Sequence, residues 1–315
     1  MQINQTRKLA HGAMMIAIFT VLMAIVSYIP MANIIAAIIA PLPMIWYSAN
    51  YDRRSSFLVA ILAVIVTFFI GGLLLIPASL IFAAAGVAIG DAIYNKKSKV
   101  FMFISTSIVL LVTFAIQYVI SLRLFEVDFI RDSMELMKTS YIESIKMTEK
   151  LTGQATPKEV MDNMNNMLNT LEMTLPASIT LAMLFVSFII ITVNLPILKR
   201  LKVDVPKFAK FSELRLPRSV LWYYLIALSI NLFVQPEPDS SLAFIMLNIS
   251  IVLWLLLTLQ GISFIHFAID AFGYPKFIKV LSTIVAIPLY SFVILIGIID
   301  LGFNARDYIR EKSQK

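Results

Sequence analysis

Residues 100–122 read VFMFISTSIVLLVTFAIQYVISL, a stretch without one charged side chain. A helix needs roughly 20 apolar residues to cross the hydrocarbon core of a bilayer. A backbone immersed in lipid must also satisfy its own hydrogen bonds, so such a run reads as a membrane-spanning helix. Working outward from it, eight more runs qualify or nearly do: 9–29, 33–49, 57–76, 78–94, 177–198, 219–235, 242–268 and 277–301. The fold class is therefore all-α, a polytopic transmembrane bundle of eight or nine helices. Pro30 ends the first run, and Pro41 and Pro43 bend or shorten the second. Arg7 and Lys8 precede the first run with no small-residue cleavage site after it, so 9–29 reads as an uncleaved helix.

Composition agrees. Hydrophobic residues make up 59% of the 315, charged residues 14%, and mean hydropathy is +0.86. A soluble domain is nearer a quarter charged, so lipid must be the solvent for much of this surface. The absence of cysteine excludes disulfides, thiolate metal sites and cysteine nucleophiles, and two histidines exclude a multi-histidine metal site. The net charge of +7 does not point to nucleic acid, because the basic residues sit in short loops rather than on a basic face with interleaved aromatics.

Those basic loops orient the chain. Arg53 and Arg54 mark one cytoplasmic loop, and Lys96, Lys97 and Lys99 the next. The stretch 199–218 marks a third, with Lys199, Arg200, Lys202, Lys207, Lys210, Arg215 and Arg218. The N-terminus shares that side. Residues 123–176 and the acidic turn Gln235-Pro236-Glu237-Pro238-Asp239 then lie outside. Nine crossings would put the C-terminal tail outside as well, against its Arg306, Arg310, Lys312 and Lys315. Eight crossings, with 219–235 failing to cross fully, is the alternative.

The chain accordingly divides into a five-helix membrane part (1–122), an external hairpin (123–176), a sixth membrane helix (177–198), the basic loop (199–218) and a C-terminal membrane part with tail (219–315). In the hairpin, Ile130, Met134, Met137, Tyr141 and Ile145 recur at helical spacing, Gly153 stops the first helix, and Thr156-Pro157-Lys158-Glu159 reads as a capping box with proline at the first helical position. A second stripe runs through Val160, Met164, Met167, Leu168, Leu171 and Leu175. This seam either buries against itself or the membrane surface, or serves as a lid or an adaptable partner surface.

Polar groups inside membranes are costly and often functional. The candidates are His11, Asp91, Gln117, Asn194, Asn231, Asn248, Gln260, His266, Asp270 and Asp300. Asp91 sits by Lys96 and Lys97 and Asp300 by Arg306, which suggests local ion pairs. Gln117, Asn248 and Gln260 lie deeper, as interhelical hydrogen-bond partners or as the lining of a solute pocket. No residue set reads as catalytic, cofactor-binding or metal-binding. Ala-Ile-Gly-Asp at 88–91 lacks the first glycine of the intramembrane aspartyl protease motif and a partner aspartate, and no metalloprotease, phosphate-loop or serine-elbow motif occurs. Two small-xxx-small motifs, Ala13 to Ala17 and Gly86 to Gly90, allow close helix approach. Ala13 and Ala17 either pack within the bundle or dock a second membrane subunit.

Several stretches resemble the YybS-like family of membrane proteins from Gram-positive bacteria. They are Thr6-Arg7-Lys8-Leu9-Ala10-His11-Gly12-Ala13, Ser27-Tyr28-Ile29-Pro30, Pro41-Leu42-Pro43, Gln260-Gly261 with His266, and Gly297-Ile298-Ile299-Asp300-Leu301-Gly302-Phe303 with Arg306 just beyond. The likeness covers most of the chain and implies a bacterial plasma membrane, with no biochemical function attached. More distantly, the first six spans resemble the S component of energy-coupling-factor vitamin transporters. Its first helix docks the coupling subunit through an Ala-x-x-x-Ala surface, matched here by Ala13 and Ala17. That resemblance implies a solute-binding membrane subunit, with Gln117 near the pocket and ATP hydrolysis left to partners. The rod-shape protein MreD shares this architecture without being a known transporter, which keeps a non-transporting, envelope-associated scaffold open.

Overall fold

The computed structural model describes residues 2–153, 157–206, 210–237, 240–303 and 305–313, without the side chains of residues 2–4 and 311–313. Thirteen α-helices occur among the described residues. They are α1 (Gln2–Tyr28), α2 (Asn33–Ile39), α3 (Leu42–Asn50), α4 (Arg53–Gly71), α5 (Ile76–Tyr94), α6 (Lys99–Leu124), α7 (Phe129–Thr152), α8 (Lys158–Arg200), α9 (Ser219–Ser229), α10 (Ser241–Ala271), α11 (Phe277–Ala286), α12 (Tyr290–Phe303) and α13 (Ala305–Ser313). There is no strand among those residues. The N-termini are capped as the side chains dictate: Asp52, Ser98, Asp128 and Ser240 each accept a backbone N–H from the first turn of α4, α6, α7 and α10. At the other end of α4, Gly72 adopts φ +64°, a conformation that suits glycine, and turns the chain into α5.

Seven helical segments are long and apolar enough to cross a membrane: Gln5–Tyr28, Asn33–Asn50, Arg53–Gly71, Leu73–Tyr94, Lys99–Leu124, Lys158–Arg200 and Ser241–Ala271. The second is broken at Ala40–Pro41 into α2 and α3, as its prolines require. The outer face of α6 is an apolar stripe of Ile104, Ile108, Val112, Ile116 and Val119, all exposed. A contiguous apolar face of this kind is covered by lipid rather than by water.

Two of the nine runs depart from expectation. Residues 219–234 form only α9 and a π-turn at Ile230–Val234, sixteen residues or about 24 Å at 1.5 Å per residue. The run 277–301 does not form one straight span. It becomes α11 and α12, bent by 113° between them. Pro288 explains the bend, since it lacks an N–H and its ring blocks the preceding turn. Both ends of the α11–α12 pair lie at the C-terminal half of α10. Lys279 pairs with Asp270 near the start, and Asp300 meets Gln260 near the finish. Among the described residues the candidate spans number seven, or eight if the bent pair is one span, with 219–234 as a shorter apolar helix.

The expected external hairpin is also reshaped. Its second arm is not a separate helix, because α8 runs unbroken from Lys158 to Arg200, about 65 Å, twice the hydrocarbon thickness. Gly153 ends α7 in the left-handed conformation, with φ +68°. Pro157 occupies the N-cap position of α8, so the helix begins one residue later than the capping box implied, and Thr156 lies outside the described residues. No residue of α7 is fully buried: Met137 and Tyr141 of its stripe are exposed, and Ile130, Met134 and Ile145 are half-buried.

The chain divides into two compact units. The first comprises Met1–Val160 and Ile179–Lys207, the second Met161–Ser178 and Phe208–Lys315, and α8 contributes to both. In the first unit, Phe19, Met23, Met44 and Tyr47 build one core, and Ile45, Ile89, Met102, Ile190 and Leu198 another. Gly86 and Gly90 sit in the α3–α5 contact, where an added Cβ would lie 2.5 Å from Met44 Cβ or 2.4 Å from Ser48 Cβ. In the second unit, Val220, Leu253, Leu257, Ile294 and Leu301 form the core.

Candidate functional site

The densest polar cluster in this apolar protein lies on one face of α10. Gln260, Ser263, His266 and Asp270 are spaced so that successive side chains fall on the same side of a helix. The connecting segment 210–218 is laid along that stripe. Gln260 Oε1 accepts the Leu216 N–H at 2.8 Å. Ser263 Oγ lies 2.8 Å from the carbonyls of both Phe211 and Leu214. Asp270 accepts from Ser212 Oγ at 2.8 Å and pairs with Lys279 of α11. His266 Nε2 lies 2.9 Å from Thr283 Oγ1, and the ring stands edge-on to Phe211.

At the centre of the cluster is a buried ion pair. Asp300 of α12 is fully buried and Arg306 of α13 is 4% exposed. Arg306 Nε donates to both Asp300 oxygens at 3.1 and 3.0 Å, Nη1 donates to the Ser212 carbonyl at 2.8 Å, and Nη2 donates to the Leu214 carbonyl at 2.9 Å. Gln260 Nε2 donates to Asp300 as well. The Phe267 ring lies under Arg306 at 5.2 Å. A buried ion pair is tolerated only when its remaining donors and lone pairs are met, and here every arm of the guanidinium has an acceptor. Chemically the arrangement is a closed latch that ties the 210–218 segment, α10, α12 and α13 together. No group of three or more metal-ligating side chains occurs among the described residues.

The other intramembrane amides bond backbone groups of neighbouring helices. Asn248 of α10 accepts the Ala177 N–H at 2.9 Å and donates to the Met173 carbonyl at 2.8 Å. Those two groups are i→i−4 partners beside Pro176, where the proline ring disturbs the ladder of α8. Asn194 donates to the Ile38 carbonyl at 2.8 Å, next to the Pro41 break. Gln117 Nε2 donates to the Pro77 carbonyl at 3.1 Å, joining α6 to α5.

Asp91 does not pair with Lys96 or Lys97, its neighbours in sequence. It takes a two-pronged bond from Arg53 Nε and Nη2, at 2.9 and 2.6 Å, across the α4–α5 contact. His11 Nδ1 lies 2.6 Å from Tyr51 Oη, and Lys8 pairs with Asp52. Ala13 and Ala17 are exposed, together with Ala10, while Gly12, Met15 and Phe19 form the buried face of α1. Ser212 and Ser263 belong to the cluster although sequence reasoning does not single them out. For Ser263 the signal is present, three residues after Gln260 on the same face.

Several apolar spans, joined by short basic loops and held by buried amides and one buried ion pair, define a polytopic α-helical membrane protein. More particularly, residues 17–301 match the family described as predicted membrane protein (DUF2232), and the chain belongs to that family. It is 28% identical over 314 residues to "Uncharacterized protein YybS" of Bacillus subtilis (strain 168), covering 98% of this chain and 100% of that protein. No solved structure matches the chain.

Proposed function

We propose that the protein is a non-catalytic membrane subunit that docks a helix of a second membrane protein through the outer face of α1. One contrast carries this reading. Of the two small-xxx-small motifs, Gly86 and Gly90 are filled by α3, whereas Ala13 and Ala17 remain exposed. Small side chains let helix backbones approach closely, which matters in lipid because hydrophobic drive between helices is missing there. The S-component resemblance agrees with this use of α1, and under it a partner would supply coupling and ATP hydrolysis for a small solute. The second reading is a scaffold without transport, which the largely exposed amphipathic helix α7 favours.

The test is affinity capture of the tagged protein from membranes in mild detergent, with and without Ala13→Leu plus Ala17→Leu. The double variant should lose a membrane partner while its thermal melting stays unchanged, because both side chains lie outside the packed bundle. Recovery of a coupling subunit and an ATPase would favour transport, and recovery of envelope proteins the scaffold. Partner recovery unaffected by the two leucines would overturn the docking role of α1.

A further inference from the structure

Helices α4 and α6 each pack against α5 and scarcely against each other. A slot of about 400 Å³ therefore runs along α5, between walls that include Phe57 of α4 and Phe101 of α6. Its floor is Ala83, Ala84, Val87 and Ala88, one face of α5, and it ends at the Arg53–Asp91 pair. Small floor residues between bulky walls make a channel that suits an extended apolar chain. The mouth is cationic. The Asp91 side chain is 21% exposed and that of Arg53 is 69% exposed, so the carboxylate fixes the inner edge of the guanidinium and leaves the outer edge facing out. Arg53 uses Nε and one Nη2 hydrogen on Asp91, and no other acceptor meets it among the described residues. Lys97 Nζ stands 5.7 Å above the Phe101 ring at the same end, and Arg54, next to Arg53 in the chain, is exposed.

We propose that this slot seats one acyl chain of an anionic glycerophospholipid, whose phosphate lies on the outer edge of Arg53 with Lys97 alongside. A guanidinium fixed on one edge presents a planar fork to phosphate oxygens. The basic loops assign this end of the spans to the cytoplasmic side, the leaflet where anionic lipid concentrates. An apolar partner helix would fill the slot but leave the cationic mouth unpaired.

The test is native mass spectrometry of the full chain, delipidated in mild detergent and titrated with phosphatidylglycerol or phosphatidylcholine. One phosphatidylglycerol should bind about tenfold or more tightly than phosphatidylcholine, because the two share the phosphate but the choline cation of the second is repelled by Arg53 and Lys97, and tenfold is about 1.4 kcal/mol. Arg53→Gln should bring the two lipids together, and Arg53→Lys should restore most of the preference. Ala84→Phe with Ala88→Phe fills the slot without touching Arg53, and should abolish tight binding with melting in detergent unchanged. Equal retention of the two lipids by the native chain would overturn the proposal. So would slot-filling variants that still hold phosphatidylglycerol, or that instead lose a co-purifying protein.

Discussion

An arginine 4% exposed among apolar helices is stable only because each of its three guanidinium nitrogens finds an acceptor. Arg306→Met would leave Asp300 charged and buried, and would remove the donors that meet the carbonyls of Ser212 and Leu214. The expected loss is about 3–5 kcal/mol, measured by unfolding in detergent. Adding Asp300→Leu should recover part of it by removing the unpaired charge. Full recovery is not expected, because the Ser212 carbonyl left without a donor still costs about 1–3 kcal/mol. Asp52 behaves differently because it is half exposed. The Lys8 ammonium holds its carboxyl down from 3.8 to about 2, with help from the Ser55 N–H and hydroxyl. A lowered value in the folded state stabilises above the ordinary value, and that contribution fades as pH falls from about 4 through about 2. Asparagine caps a helix as well as aspartate does, so Asp52→Asn isolates the charge. The native chain should exceed that variant by about 0.2–1 kcal/mol at pH 6. The gap should close as pH falls toward 2, and a gap that widened on acidification would refute the ion pair.

At the scale of elements, α10 and α12 touch through glycine. A Cβ added at Gly297 would lie 2.3 Å from the Leu257 carbonyl oxygen and 3.1 Å from the Gly261 nitrogen, backbone atoms that cannot swing aside. Gly297→Ala should therefore destabilise by about 1–3 kcal/mol. Gly302→Ala on the same helix has only Leu221 Cδ2 at 3.6 Å to meet and should be close to neutral, so melting of the pair separates close approach from helix propensity. These elements are unevenly legible in the sequence. Long uncharged runs and the Pro41 break are local properties, and they can be read directly. Pro288 is a signal of the same kind, but the residue alone gives neither the size of the bend nor the course of the two halves. Asp91 reads as a partner of lysines five and six residues away, yet its actual partner Arg53 is 38 residues distant and faces it across a helix pair. Ser212 joins the α10 stripe only when the 210–218 segment closes on it, and no residue pattern announces such a closure. Gln260 stands out in the sequence for its depth alone, and depth gives no partners.

The path of the second unit through the membrane is set by contacts rather than by run lengths. Arg306 bonds the carbonyls of Ser212 and Leu214, so the tail and the 210–218 segment must share one face. The C-terminal half of α10 meets that same segment through Gln260, Ser263 and Asp270. Its N-terminal half therefore points to the opposite face, and α9 with its π-turn must carry the chain there despite being short. Beyond α10, both ends of the α11–α12 pair meet the C-terminal half of that helix, which fits a pair that enters and returns. A pair that crossed as one bent span would instead place the basic tail opposite the 210–218 segment. A chain without cysteine needs no background removed to test it. Single cysteines at Glu213, Glu237 and Asp307, all exposed positions, can be reacted with a membrane-impermeant maleimide on intact cells and on inverted vesicles. Glu213→Cys and Asp307→Cys should label together from the inverted side, and Glu237→Cys from the outside of intact cells. If Asp307→Cys labelled with Glu237→Cys instead, α11 and α12 would together cross the bilayer, and the Arg306 latch could not form as described.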